Sequence, residues 1–285
     1  MNRRVRIRFP ALLRVIACWV LLLMSTHSLA SDLSIQLLKE GWGDAAVEDV
    51  ESVLRAAAEP LWKAAGSPPL PLIRVEPTGG PIVLHRRGSD GSISVRLAVE
   101  GGYWAQMAYQ FSHEFAHILF GFTPEHQSHQ WIEEAACEMA SLFSLRHMAR
   151  SWSQDENLKR VSYAPHLKSY ADQLMEKSRL KSPTDFPAWF RSHAQEIQAD
   201  LDDRELLKVI ALQWLPLLEE DPRGWRGLRY LNHGIGKIGE ELPELFQRWR
   251  KHCPEVDREQ VDRVVRLFIG ESKKSEQSVS RPAQS

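Results

Sequence analysis

Apolar residues in the N-terminal part of the chain follow one helical pattern and then three short strand patterns. The helical pattern covers residues 45–65, and its apolar positions are Val47, Val50, Val53, Leu54 and Leu61. A Gly-Ser-Pro-Pro run at residues 66–69 ends this predicted helix. Residues 70–75, 81–85 and 92–99 are predicted strands. The last of them alternates between apolar and polar side chains, which is typical of a half-exposed strand.

Helical patterns account for most of the remaining chain. One helix is predicted over residues 103–120 and a second over residues 128–150, with a Thr-Pro turn between them. Residues 151–270 contain further apolar helical stretches, separated by Pro-containing turns. The polar residues 271–285 are expected to form a disordered tail. These patterns predict an α+β fold, with a small sheet and two helices in residues 31–150 and a mainly helical C-terminal part.

Residues 1–30 have the pattern of a secretory signal peptide. Residues 1–8 contain four arginines and no acid, and an apolar run follows over residues 15–24. The small residues Ser28 and Ala30 precede a predicted cleavage site. Ten apolar residues in a helix span about 15 Å, roughly half of a bilayer core, so a cleaved signal is favoured over a permanent anchor. We therefore expect a mature chain that begins at Ser31 and is periplasmic or secreted.

Two other interpretations of this segment stay open. The first is an uncleaved membrane anchor. The second is a lipoprotein, because Val-Ile-Ala-Cys at residues 15–18 faintly resembles a lipidation motif that ends at Cys18. Apolar residues continue beyond Cys18, however, and this is not expected of such a motif.

The charge of the mature chain argues against nucleic acid as a partner. Five of the 36 Lys and Arg residues, and none of the 37 Asp and Glu residues, lie in residues 1–30, so the mature chain carries a net charge of about −6. Two of the three cysteines remain after cleavage, Cys137 and Cys253. An exported protein can pair them in a disulfide, but the apolar helical surroundings of Cys137 favour a buried free thiol.

The first of the two predicted helices contains a metal-binding pattern, His-Glu-Phe-Ala-His at residues 113–117. His113 and His117 are four residues apart and lie on one helical face, so both imidazoles can reach one metal ion. Glu114 is about 100° further round the helix, which places it beside the ion rather than on it. It can therefore deprotonate a water molecule at the site.

The second predicted helix offers the further ligand that a catalytic site needs. Glu134 and Glu138 are four residues apart in a stretch whose other members are mostly apolar: Ile132, Ala135, Ala136, Cys137, Met139 and Ala140. Carboxylates buried on such a helix require partners, and a metal ion and a ligating histidine would supply them. Exposure of both acids to solvent is the alternative.

Together, the two helices resemble the active-site helices of the gluzincin metallopeptidases, which include thermolysin-like and aminopeptidase-like enzymes. In that group the second helix carries Asn-Glu-x-x-x-Asp or Trp-Leu-Asn-Glu, and the glutamate is the third metal ligand. Residues 131–134, Trp-Ile-Glu-Glu, are similar to the second form, and Glu138 stands where the first form has its aspartate. The resemblance covers roughly residues 92–140. The 16 residues between His117 and Glu134 are slightly fewer than is usual in the group.

The resemblance implies a zincin-like domain in residues 31–150 that binds Zn²⁺ through His113, His117 and Glu134. It further implies that Glu138 accepts a hydrogen bond from His113 and so orients the imidazole. The strand at residues 92–99 would then lie at the sheet edge above the cleft. An extended substrate could pair with such an edge through its backbone.

A hydrolase of this kind also needs a donor for the negative charge that develops on the carbonyl oxygen. Related enzymes often use a downstream tyrosine or histidine. The candidates are Tyr163, His166, Tyr170, His193, Tyr230 and His233. We place His233 first, because it is predicted to stand at a helix end immediately before Gly234.

The sequence thus predicts an exported zinc-dependent hydrolase, in first place a metallopeptidase that cleaves peptide or protein substrates with Glu114 as general base. Once the signal is cleaved, no stable membrane span is expected. One alternative is a zinc-binding protein without turnover, in which the same residues form a structural or regulatory site. Another keeps the hydrolase but changes its substrate to a cell-wall peptide or a different amide.

Overall fold

A computed structural model describes residues 33–121, 129–200, 204–234, 236 and 239–270 of the chain. The predicted signal peptide with Cys18, the predicted N-terminus at Ser31 and the polar tail lie outside the described residues. Among the described residues, no helix is both long enough and apolar enough to cross a membrane.

A four-stranded sheet stands at the N-terminal end of the fold. Its strands are β1 (Ile35–Leu37), β2 (Ile73–Glu76), β3 (Ile82–Val83) and β4 (Ile93–Arg96). They are ordered β1-β2-β4-β3; β1, β2 and β4 run parallel, and β3 runs antiparallel to β4. The three predicted strands are present, and β1 is an addition that the sequence pattern did not indicate.

The edge of the sheet differs from the sequence prediction. β4 pairs with β2 on one side and with β3 on the other, so the predicted strand at residues 92–99 is internal and β3 is the edge strand. The predicted alternation itself is confirmed, since Ile93 and Val95 are buried while Ser94 and Arg96 are partly exposed. Alternation reports which faces of a strand are buried, but it carries no information on which of its edges is paired.

Three helices pack against one another, and the first two of them also contact the sheet. They are α1 (Val47–Ala64), α2 (Trp104–Leu119) and α3 (Gln130–Trp152), and each begins and ends within two residues of its predicted bounds. α1 and α2 contact each other and both contact α3. α3 is buried on nearly all sides, in agreement with its lack of a polar face.

The C-terminal part is helical, as predicted. It comprises α4 (Leu158–Leu180), α5 (Phe186–Ala199), α6 (Arg204–Glu220), α7 (Gly224–Leu228), α8 (Leu242–His252), a 3₁₀ turn (Glu255–Asp257) and α9 (Arg258–Ile269). The Trp131 ring of α3 contacts the rings of Phe190 in α5 and Phe268 in α9, at centroid separations of 5.1 and 5.6 Å. The predicted regions 31–150 and 151–270 therefore share one hydrophobic core.

Both described cysteines are buried and unpaired. Cys137 lies in the middle of α3, and Cys253 caps the end of α8. Of the two interpretations of these cysteines, the structure supports free thiols.

Candidate metal centre

The predicted metal-binding residues meet at the surface between α2 and α3, in a cavity of about 240 Å³. Three structural units line it: the β3 segment, the two helices, and the first residue of α6. The lining residues are Pro81, Ile82, Val83, His85, His113, Glu114, His117, Gln130, Glu133, Glu134 and Arg204. Residues that are up to 123 positions apart in the sequence thus line one small cavity.

The two histidines present the same ring nitrogen to Glu134. The Nε2 atom of His113 lies 3.2 Å from Oε2 of Glu134, and the Nε2 atom of His117 lies 3.5 Å from Oε1. Ligands of a tetrahedral ion with bonds of about 2.0–2.1 Å are separated by roughly 3.3–3.4 Å. Both distances from Glu134 to the imidazole nitrogens are close to this separation, and imidazoles and carboxylates are ligand types that can hold a metal ion.

The charges at this position follow from the same contacts. Burial raises the pKa of Glu134, but the hydrogen bond with His113 and the nearby His117 and Arg204 outweigh it and lower the pKa to about 2. Glu134 is therefore ionised at neutral pH, as a metal ligand must be.

Glu133 has a role that the sequence analysis did not assign. Its Oε1 atom lies 2.6 Å from Nδ1 of His117. Burial lowers the pKa of His117, but the hydrogen bond and charge of Glu133 outweigh it and raise the pKa to about 9. With a pKa of about 9, His117 carries a proton on each ring nitrogen at neutral pH. Metal binding at Nε2 would displace the proton there, while Nδ1 would keep its hydrogen bond to Glu133. A carboxylate that fixes the tautomer and orientation of a ligating histidine in this way strengthens metal binding.

Glu114 lies against the opposite wall of the cavity, next to the sheet. Only 5% of its surface is exposed. Burial raises its pKa, and the charges of His113 and His117, together with the hydrogen bond that it accepts from the backbone N–H of Val83, partly offset this effect. A buried carboxylate with a raised pKa beside two histidines is suited to take up a proton and to release it again.

Cys137 is a further donor that was not predicted to face the site. One ligand atom each from His113, His117 and Cys137 lie within 4.8 Å of one another, so this buried group can hold a metal ion. Burial raises the pKa of the Cys137 thiol well above its ordinary value, and the negative charges of the nearby carboxylates raise this pKa further. The sequence does carry a signal for this position, because Cys137 follows Glu134 by three residues and lies on the same helical face.

The predicted contact between Glu138 and His113 is not present. Glu138 is buried, in agreement with the prediction, but its described hydrogen-bond partner is the hydroxyl group of Tyr109. Burial and the charge of Glu138 both raise the pKa of Tyr109. The phenol therefore stays protonated and donates a hydrogen bond to the carboxylate. Tyr109 precedes His113 by one turn on the same face of α2 and therefore reaches Glu138 in its place.

His233 does not line the cavity, contrary to the prediction that it supplies the donor for the carbonyl oxygen. Its ring packs on Tyr230 and stands about 3.5 Å from the position that a Cβ atom would take at Gly121. The other predicted donors are also absent from the lining: Tyr163, His166, Tyr170, His193 and Tyr230. The polar donors that do face the cavity from outside α2 and α3 are His85 and Arg204.

Comparisons of this chain with protein-family models, with curated proteins and with solved structures found no match.

Proposed function

We propose that this chain is a zinc-dependent hydrolase that cleaves peptide bonds, with His113, His117 and Glu134 as metal ligands and Glu114 as general base. The observation that carries the proposal is the position of Glu114. It lies in the same cavity as the three ligands, yet no ligand role is needed from it, because Glu134 already faces both Nε2 atoms. A site that only stores or structures a metal has no use for a buried carboxylate of this kind.

The proposed role of each group follows from its position. When bound, the zinc ion polarises the scissile carbonyl and lowers the pKa of water. Glu114 accepts a proton from the attacking water and delivers it to the leaving nitrogen. Glu133 would hold the Nδ1 proton of His117 in a hydrogen bond and so orient the Nε2 atom toward the metal.

The edge strand supports a peptide as the substrate. Leu84 donates its N–H to Ser94 of β4, whereas the N–H of the preceding residue, Val83, is directed to Glu114. The edge of β3 that faces away from β4 pairs with no other strand of the described residues, and its Val83 lies within hydrogen-bond reach of the proposed general base. An extended chain that pairs with this edge would bring its own backbone to the site.

We further propose that the chain is related to the gluzincins. The small sheet with its edge strand, and the two helices that carry the histidines and glutamates, support this relationship. In the same proposal, residues 1–30 export the chain to the periplasm or the cell exterior, where it meets peptide or protein substrates.

A metal-binding protein without turnover is the second candidate, and Cys137 is the observation that favours it. A thiolate from Cys137 would add a fourth protein ligand to His113, His117 and Glu134, and four protein ligands are typical of closed structural sites. The two candidates therefore differ in whether Cys137 binds the metal or remains a neutral buried thiol.

The proposal is tested with a mixture of peptides of varied sequence and length, incubated with the purified mature chain. Mass spectrometry of the products should show new cleavage sites, and a chelator should abolish them. A protein that retains its metal but leaves every peptide intact would favour the second candidate.

A further inference from the structure

Arg204 brings a positive charge into the cavity from outside the two metal-binding helices. It is the first residue of α6, and its side chain is 48% exposed and lines the cavity with His113 and Glu114. Its Nη1 atom lies 3.7 Å from Oε2 of Glu134, which is the carboxylate closest to it among the described residues. This separation is within ion-pair range but too long for a hydrogen bond. The donors of the guanidinium are therefore not taken up by Glu134.

A bound metal would make Arg204 more available to a ligand. Glu134 would then share its charge with the ion, and the planar guanidinium would face the cavity next to the reacting centre. Arginine has donors in a rigid fork that matches a carboxylate in a two-point contact. An anionic group is thus the chemistry that this wall of the cavity recognises.

The short reach of Arg204 limits where that anionic group can stand in a substrate. Arg204 is adjacent to the ligand Glu134, and one residue of an extended peptide spans about 3.8 Å. A carboxylate on Arg204 therefore belongs to the residue next to the cleaved bond. The cavity, at about 240 Å³, is also smaller than the roughly 300–1,000 Å³ of usual ligand sites, which favours the end of a chain over its middle.

We propose that Arg204 binds the C-terminal carboxylate of the substrate, so that the enzyme removes residues from the C-terminal end of peptides. This inference rests on the proposed peptidase function and adds the substrate class and a specificity-determining residue to it. The rest of the peptide would extend along β3, and the terminal residue would lie beside Arg204 in the cavity.

The test compares two peptides of one sequence, one with a free C-terminal carboxylate and one with a C-terminal amide. The wild-type protein should cleave the free acid about 10- to 100-fold more efficiently, as expected for a charge-assisted contact. Arg204→Gln should remove this preference mainly through KM, and Arg204→Lys should retain part of it. Arg191→Gln, an exposed arginine of α5, is the matched control and should leave the preference unchanged.

A binding measurement gives a readout that does not depend on turnover. Calorimetric titration of the zinc-loaded Glu114→Gln variant should show tighter binding of the free acid than of the amide, and the added change Arg204→Gln should abolish the difference. Equal binding and cleavage of the two peptides by the wild type would overturn the role of Arg204 while leaving the peptidase proposal intact. So would an equal fall in kcat on both peptides in Arg204→Gln, since this would mean that Arg204 stabilises charge on the carbonyl oxygen instead. If neither peptide binds or is cleaved by zinc-loaded protein, both proposals fail.

Discussion

Replacement of Glu114 by Gln should lower the rate of peptide hydrolysis by at least ~10²–10⁴-fold, the usual cost of losing a general base. The amide keeps the size of the side chain and can still accept the hydrogen bond from Val83, but it cannot accept a proton. Folding and zinc content should therefore stay close to those of the wild type. The measurement is the hydrolysis rate together with the zinc content of the same samples.

The control for this substitution is Glu176→Gln, which makes the same chemical change at an exposed position of α4. It should leave both zinc and rate unchanged. An unaltered rate in Glu114→Gln, on a substrate that the wild type cleaves, would contradict the mechanism even if all three metal ligands were assigned correctly.

Loss of a ligand should have the second large effect. His113→Ala, His117→Ala and Glu134→Ala should each lose most of the bound zinc, since three protein ligands are the minimum for a tight catalytic site. Glu133→Gln should be milder and weaken metal affinity by roughly 10–100-fold, because Glu133 contacts the ligand His117 rather than the ion. Metal affinity is measured by competition with a chromogenic chelator.

The substitutions of Glu133 and Glu134 show which of the two glutamates is the third metal ligand. If Glu133→Gln empties the site and Glu134→Ala does not, the third ligand is Glu133. Cys137→Ser supplies the remaining comparison. It should leave zinc affinity unchanged if the site is catalytic, whereas a large loss of zinc in Cys137→Ser would identify Cys137 as a ligand and favour the binding protein without turnover.

Local pattern was sufficient for the parts of the site that lie on one helix. The spacing of His113 and His117 fixes their common face. The apolar surroundings correctly indicated burial of Glu138, whereas the side chain of Glu134 is 25% exposed. Helix α3 was predicted for the same reason, since an almost continuous apolar pattern of that length can only be satisfied inside a core.

Contacts between segments that are distant in the sequence could not be predicted from local pattern. Arg204 enters the cavity from a helix that begins 70 residues after Glu134, and only the packing of α6 against α3 brings the two together. Glu138 contacts Tyr109 rather than the predicted His113. Which of the two it contacts depends on the rotation of α2 relative to α3, and sequence spacing does not specify this rotation. The edge position of β3 depends on strand order, a property of the whole sheet.

The central claim is that one bound zinc ion per chain enables hydrolysis at this cavity. The most direct measurement is a titration of the metal-free protein with zinc, in which zinc content and peptide cleavage are followed in the same sample. The proposed site predicts that cleavage is absent at first, rises in proportion to bound zinc and reaches its maximum at one ion per chain. Cleavage that persists without metal, or a fully loaded protein that cleaves no peptide, would contradict it.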